Sequence, residues 1–186
     1  MMKVSFIGSG NVATVLAKQM FRRGFTIVDV FSKQIYLAQQ LAETISARAI
    51  DDLKNLALTA DIFIIAVNDK SISQIVNQLS LNDKLVLHTA GAVSIEVLKN
   101  ASISYGVLYP IQTLRKEMNS ELEIPFMIDG NNSDTMNSIE DIVNQLEQSF
   151  VYGTDEKRLK IHIAAVFASN FVNYLYYLSA DYCAKE

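Results

Sequence analysis

Gly8-Ser9-Gly10-Asn11-Val12-Ala13 sets two glycines and an alanine at the spacing G-x-G-x-x-A, between the apolar run Lys3-Val4-Ser5-Phe6-Ile7 and a helical pattern that continues through Val15-Leu16-Ala17-Lys18. At a junction between a strand and a helix, that spacing binds an anion. Gly8 permits the tight turn, Gly10 lets backbone come close to a pyrophosphate, and Ala13 lets the helix pack closely on the strand. The amides at the start of the helix then face the anion. Such a string also occurs where glycines end strands for structural reasons alone, so its place after a first strand is what gives it weight. The chemistry expected is dinucleotide binding, with Gly8, Ser9, Gly10, Asn11, Val12 and Ala13 as contacts.

The end of the second strand selects between dinucleotides. A carboxylate there would hold a ribose 2′-hydroxyl and repel a 2′-phosphate, whereas this chain offers Val30-Phe31-Ser32-Lys33, a hydroxyl and a cation. A hydrogen bond to a charged group contributes about 1.5 to 3 kcal/mol, so a Lys33 contact favours NADP over NAD roughly ten- to hundredfold. Asp29 reads as a strand-edge or surface carboxylate and not as a ribose ligand.

His88 and His162 are the two histidines. His88 ends a predicted strand beside Gly91, where a nicotinamide ring or its substrate would lie, and an imidazole with a pKa near 6.5 suits proton transfer there. The alternative is a strand-end histidine bonded to backbone. On the last predicted helix, about 100° per residue puts His162, Ser169 and Asn173 on one line, with Asn170 about 80° to its side. That stripe either lines the cleft or makes a hydrogen-bonded helix contact. Tyr174, Tyr176, Tyr177 and Tyr182 read as packing residues. Two distant histidines and a single cysteine, Cys183, do not make a metal site.

The elements that must position these residues alternate strand and helix after the glycine turn, the signature of a doubly wound, mostly parallel α/β sheet. The patterns predict a helix from Asn11 to Arg23 closed by Gly24, a strand Thr26 to Phe31, a helix opened by Ser32, and a short strand Ala47 to Ile50. A fully apolar central strand, Ile62 to Val67, follows, then a helix opened by a capping box at Ser71. Leu85 to Leu87 and Ile103 to Leu108 are further strands, separated by a short helix from Ser94 to Leu98. Pro125 to Ile128 and Phe150 to Tyr152 flank a helix whose core positions are Ile139, Ile142, Val143 and Leu146. From Asp155 one long helix runs to the end of the chain. The predicted domains are residues 1–153, binding the nucleotide, and residues 154–186, the first helix of an all-helical domain that is cut short. In an open sheet of this kind ligands bind outside the carboxyl ends of the strands. The cofactor contacts expected there are Ser32, Lys33, Val67, Asn68 and Thr89, and the substrate-lining residues are Gly91, Tyr109, Pro110, Gln112 and Asn170.

With 186 residues, half of them apolar, the chain can bury about 70% of its unfolded surface and needs no disulfide scaffold. A lone cysteine fits a reducing cytoplasm. Sixteen basic against twenty acidic residues give a net charge of -4 with no basic stripe, which argues against nucleic acid as a partner. The start of the chain is a strand broken by glycines, not a signal peptide. Ile161 to Ala180 is long and apolar, yet His162, Asn170 and Asn173 are costly in lipid, so the segment reads as a buried helix of a soluble protein and no membrane is expected. Apolar residues around Phe167, Phe171, Leu175 and Leu178 exceed what one contact needs, so a homodimer is expected.

Taken together, Ile7 to Ala13, Val30-Phe31-Ser32-Lys33, His88-Thr89-Ala90-Gly91-Ala92, Tyr109-Pro110-Ile111-Gln112-Thr113, Ile124-Pro125-Phe126 and His162 to Asn170 resemble the bacterial Rossmann-like proteins with a C-terminal domain of unknown function. Those are often labelled NADP oxidoreductases and are related to deazaflavin-dependent NADP reductases and pyrroline-5-carboxylate reductases. The resemblance implies an NADP-binding domain followed by a helical domain that dimerises. It supplies no substrate. The related hydroxyacid dehydrogenases carry a catalytic lysine four residues before a helix asparagine, and Val166 stands at that place relative to Asn170.

The leading expectation is an NADP-dependent oxidoreductase acting on a small carbonyl or imine compound, with His88 and His162 handling the proton. The competing one is a non-catalytic NADP-binding sensor or scaffold, which the lack of an obvious acid-base pair keeps open. A methyltransferase is disfavoured by the missing carboxylate after the second strand.

Overall fold

Ile62-Phe63-Ile64-Ile65 can sit only where both faces of a strand are covered, and in the computed structural model it lies in the middle of an eight-stranded sheet with all four side chains buried. The structure describes residues 1–118 and 121–185. The elements are β1 (Lys3–Ile7), α1 (Asn11–Arg22), β2 (Thr26–Phe31), α2 (Ile35–Thr44), β3 (Arg48–Ile50), β4 (Ile62–Ile65), α3 (Asp69–Val76), β5 (Leu85–His88), β6 (Ser104–Pro110), β7 (Phe126–Gly130), α4 (Ser133–Gln145), β8 (Phe150–Tyr152), α5 (Asp155–Val166) and α6 (Val172–Cys183). Glu186, expected at the end of the last helix, lies outside the described residues.

The strand order is β3-β2-β1-β4-β5-β6-β7-β8. The first six strands in that order are parallel; β7 returns antiparallel to β6, and β8 pairs parallel to β7. The reversal follows from the connection. Among the described residues no helix lies between β6 and β7, and the chain comes back along the neighbouring strand. The doubly wound, mostly parallel fold expected from the sequence is the fold observed.

Each face of the sheet has its own core. Val4, Phe6 and Ile64 meet Leu16 and Met20 of α1 and Ile139, Ile142 and Val143 of α4 on one side. Ile7, Phe63 and Ile65 meet Ile72 and Ile75 of α3 and Leu98 on the other. A third, small patch made by Val107, Tyr109 and Met127 receives Ile161 of α5. This last patch matters most here, because it seats α5 beside the carboxyl end of β6.

Several local expectations shift. The side chain of Asn68, and not a box at Ser71, caps α3, its Oδ1 accepting the Ser71 amide at 3.1 Å. Ser32 does not cap α2, which begins at Ile35; its Oγ accepts the Gln34 amide instead. Asp29 is no surface carboxylate: it is fully buried, its Oδ1 2.8 Å from Arg48 Nε and its Oδ2 2.7 Å from the Ala57 amide. The last helix is not buried either. Among the described residues of α5, Arg158 alone is buried, and α6 has no buried residue. Tyr174, Tyr176, Tyr177 and Tyr182 are exposed and do not pack into a core. Apolarity all round a helix signals that something covers it, but does not say that the same chain does. Among the described residues no helix is long and apolar enough to cross a membrane.

Candidate active site

Between β1 and β4 the strand order reverses, and the chain leaves the sheet in opposite directions on either side of that point. A cleft of about 570 Å³ opens there, along the carboxyl ends of the strands. Gly8 makes its floor. Its φ is +128°, and a Cβ would lie 2.2 Å from the Ala66 carbonyl oxygen, so only glycine fits. Its amide donates to the Phe31 carbonyl at 2.9 Å, joining the turn to the end of β2. Gly10 is the N-cap of α1 and carries no side chain to satisfy the first amides, and a Cβ added there meets nothing within 4 Å. Uncapped amides at the positive end of a helix dipole, next to open space, form a cradle suited to a pyrophosphate.

Of the cofactor contacts expected from the sequence, Gly8, Ser9, Gly10, Asn11, Val12, Ser32, Lys33, Val67, Asn68 and Thr89 line the cleft. Ala13 does not; it is fully buried beneath the turn. Lys33 Nζ lies 3.5 Å from Gln74 Oε1 at the rim. Phe31, Ser71 and Ile75 also line the cleft. Their types carry no site signal in the sequence, since an aromatic at a strand end and an isoleucine on a helix are ordinary core residues.

The opposite end is made by side chains from three segments. Gly91 comes from the loop after β5; Tyr109 and Pro110 come from the end of β6, with Gln112 and Thr113 from the loop after it; His162, Ala165, Val166 and Asn170 come from the last helical stretch. Tyr109 Oη and His162 Nδ1 are 3.0 Å apart, and the two rings meet edge to face with centroids 5.8 Å apart. Tyr109 is buried, and that burial pushes its pKa above the usual phenol value; Arg158 pulls the other way and Asp69 adds to the rise. The phenol therefore keeps its proton at neutral pH. Gly91 makes the contact possible, because a Cβ there would stand 2.5 Å from His162 Nδ1.

His88 is not in this cleft. It is fully buried below the loop, its Nδ1 accepting the Ala90 amide at 3.1 Å, and its Nε2 makes no hydrogen bond. Its pKa is lowered to about 4, chiefly by burial and further by Arg158, with Asp155 and the Ser94 backbone offsetting part of the fall. A neutral imidazole held by its own loop is the backbone-bonded alternative noted above.

The helical stripe also differs from a straight projection. A π-turn, Phe167–Phe171, separates α5 from α6. Its wider turn brings Asn170 to the cleft, places Ser169 Oγ 3.0 Å from Thr113 Oγ1, and leaves Asn173 exposed. Nothing in Phe167-Ala168-Ser169-Asn170-Phe171 announces such a turn, since neither proline nor glycine is present.

The chain that carries this cleft is similar to known families and structures. Residues 3–91 match the family described as NADP oxidoreductase, coenzyme F420-dependent, and residues 124–186 match a domain of unknown function, DUF2520. A crystal structure from Bacteroides fragilis, provisionally described as an NADP oxidoreductase, is 32% identical, covers 99% of this chain and 73% of its own, and superposes with a TM-score of 0.92. This chain belongs to that family of Rossmann-type NADP-dependent oxidoreductases. Two more distant structures share its fold. Pyrroline-5-carboxylate reductase from Streptococcus pyogenes is 14% identical over 95% of this chain and 66% of its own, with a TM-score of 0.71. A reductive aminase from Aspergillus terreus, in complex with NADPH and ethyl-5-oxohexanoate, is 18% identical over 97% of this chain and 65% of its own, with a TM-score of 0.72. No curated protein matches the sequence.

Proposed function

We propose that the chain transfers a hydride between NADP(H) and a small carbonyl or imine compound, with Tyr109 and His162 handling the proton. Residues 1–153 form the cofactor domain, and residues 154–186 begin a helical domain that completes the cleft. The observation that carries this reading is the 3.0 Å contact between Tyr109 Oη and His162 Nδ1 at the end of the cleft remote from Ser32 and Lys33.

The cradle from Gly8 to Val12 would hold the pyrophosphate, and Ser32 with Lys33 would hold the 2′-phosphate. When bound, NADPH supplies the hydride. Tyr109 donates its proton to the substrate oxygen or nitrogen as negative charge develops there; His162 Nδ1–H, donor to the phenolic oxygen, then passes its proton to the phenolate while Nε2 takes one from solvent, which leaves a neutral imidazole. In the opposite tautomer Nδ1 accepts from the phenol, so the pair serves both directions of the reaction. Asn170 and Gln112 offer amide groups to orient the substrate. Among the structural neighbours, the reductive aminase holds a ketone together with NADPH, which supports this substrate class.

The test is NADPH oxidation on a panel of aldehydes, ketones and cyclic imines. Turnover on at least one member, lost in Tyr109→Phe, supports the reading. NADPH binding with no turnover on any member would overturn it in favour of a sensor. The same reading gives the exposed Phe167, Phe171, Leu175 and Leu178 a second copy of the chain as their cover. Light scattering is expected to return a dimer, and a monomer at high concentration would contradict it.

A further inference from the structure

The α5 helix grips the loop after β5 at two heights. On its first turn, Arg158 Nη2 donates to the Val93 carbonyl at 2.6 Å and to Asp155 Oδ1 at 2.5 Å, while Asp155 Oδ1 also accepts the Ile95 amide at 3.2 Å. One turn later His162 lies against Gly91 of the same loop and reaches Tyr109. Residues four apart on a helix share a face, so one rigid element carries both contacts.

Arg158 is the largest of the fully buried side chains, at 1% exposure. Its Nε and Nη1 find no acceptor. A guanidinium taken out of water and left partly unsatisfied is a poor device for stability, and an apolar residue of similar volume commonly serves as well or better. What the arginine adds is direction: its planar fork meets a carbonyl on the loop and a carboxylate on its own helix at once. Asp155, partly exposed, is kept ionised by the same contacts. Partial burial works to raise its pKa, and hydrogen bonds from Ser94, Arg158 and the Ile95 amide outweigh that and lower it.

We propose that Arg158 is a positioning residue, which fixes the height and rotation of α5 on the loop from Gly91 to Ile95 and thereby seats His162 against Tyr109. The proposal rests on the reading of Tyr109 and His162 as the proton-handling pair.

The chain has two histidines, so its imidazole nitrogen NMR spectrum is assignable with a single His162→Gln variant. Tyr109→Phe gives the Nδ1 shift of an unpaired His162. In Arg158→Met, the fold and the NADPH affinity, read by fluorescence titration, are expected to persist within about twofold, while the His162 shift moves to the value seen in Tyr109→Phe. On any ketone or imine that the unaltered chain reduces, kcat is expected to fall about 100-fold with KM for NADPH unchanged, the effect of a misplacement near 1 Å. An unaltered His162 shift in a folded Arg158→Met, with only a lower Tm, would overturn the proposal. Should that variant not fold, Arg158→Gln decides on the same shift, and failure of both to fold would also overturn it. The shift needs no turnover. If Tyr109→Phe leaves kcat intact while Arg158→Met still displaces His162, the proton-pair reading falls and the positioning role stands.

Discussion

At the β1 end the cleft is built from main chain, whereas at the β6 end it is built from side chains that three separate segments bring together. The first end is local. Gly8, Gly10 and the opening turn of α1 lie within a few residues of one another, and the amides that would meet the pyrophosphate need no side chain to aim them. The second is assembled over distance, since Tyr109 and His162 are 53 positions apart and meet only because α5 docks on the patch of Val107, Tyr109 and Met127. A backbone cradle is robust and general, suited to a cofactor shared by many enzymes. A pair of side chains held by helix docking can be retuned without disturbing that cradle.

The contrast breaks most visibly at the two glycines. Gly8→Val should cost about 1 to 3 kcal/mol for the backbone conformation alone, with overpacking against the Ala66 carbonyl added, and should abolish NADPH binding. Thermal unfolding and fluorescence titration read both effects. In Gly91→Ala the three atoms nearest the new Cβ all belong to His162, its own Cβ among them at 2.9 Å, so His162 must shift with its helix; NADPH affinity should stay within about twofold, and kcat should fall about 100-fold. Equal losses of binding and turnover in Gly91→Ala would show that the two ends are not separable.

His88 sharpens the comparison from below the loop. Its pKa of about 4 in the folded chain lies under the ordinary 6.5, so the unfolded chain binds more protons between those values. The stabilisation is complete above about pH 6.5 and is lost as pH falls toward 4, amounting to about 3 kcal/mol. Urea unfolding at about pH 7 and about pH 4 should therefore show a steeper acid loss in the unaltered chain than in His88→Gln. The same slope in both would mean that His88 is not held neutral by burial.

The smallest effect belongs to the rim. Lys33→Ala should weaken NADPH binding about tenfold and leave NADH binding unchanged, because the contact proposed for it is that of one exposed cation with the 2′-phosphate. Calorimetric titration of both cofactors checks it, and parallel losses would place the phosphate elsewhere.

These differences explain what could be read from the sequence. The sheet, its order of elements and the cradle were legible because period, apolar runs and glycine spacing are local signals. Tyr109 was placed at the end of a strand and His162 on a helix, but their meeting was not legible, since nothing in either segment encodes the docking of α5. Which of its two readings holds for His88 is not legible for a related reason: a strand-end histidine looks the same in sequence whether its ring turns outward to a cleft or down into the core. The π-turn and the buried Arg158 left no signal in composition or spacing. Asn170 came to the cleft through that turn, where a straight helix would have offered Asn173.

The central claim, that Tyr109 and His162 act as one proton-handling unit, is tested most directly by a double-mutant cycle on kcat with Tyr109→Phe, His162→Gln and the pair combined. Each single change is expected to lower turnover by about 100- to 10,000-fold with NADPH affinity preserved, and the double variant to be little slower than the worse single one. Additive losses, or a full rate in either single variant, would contradict the claim.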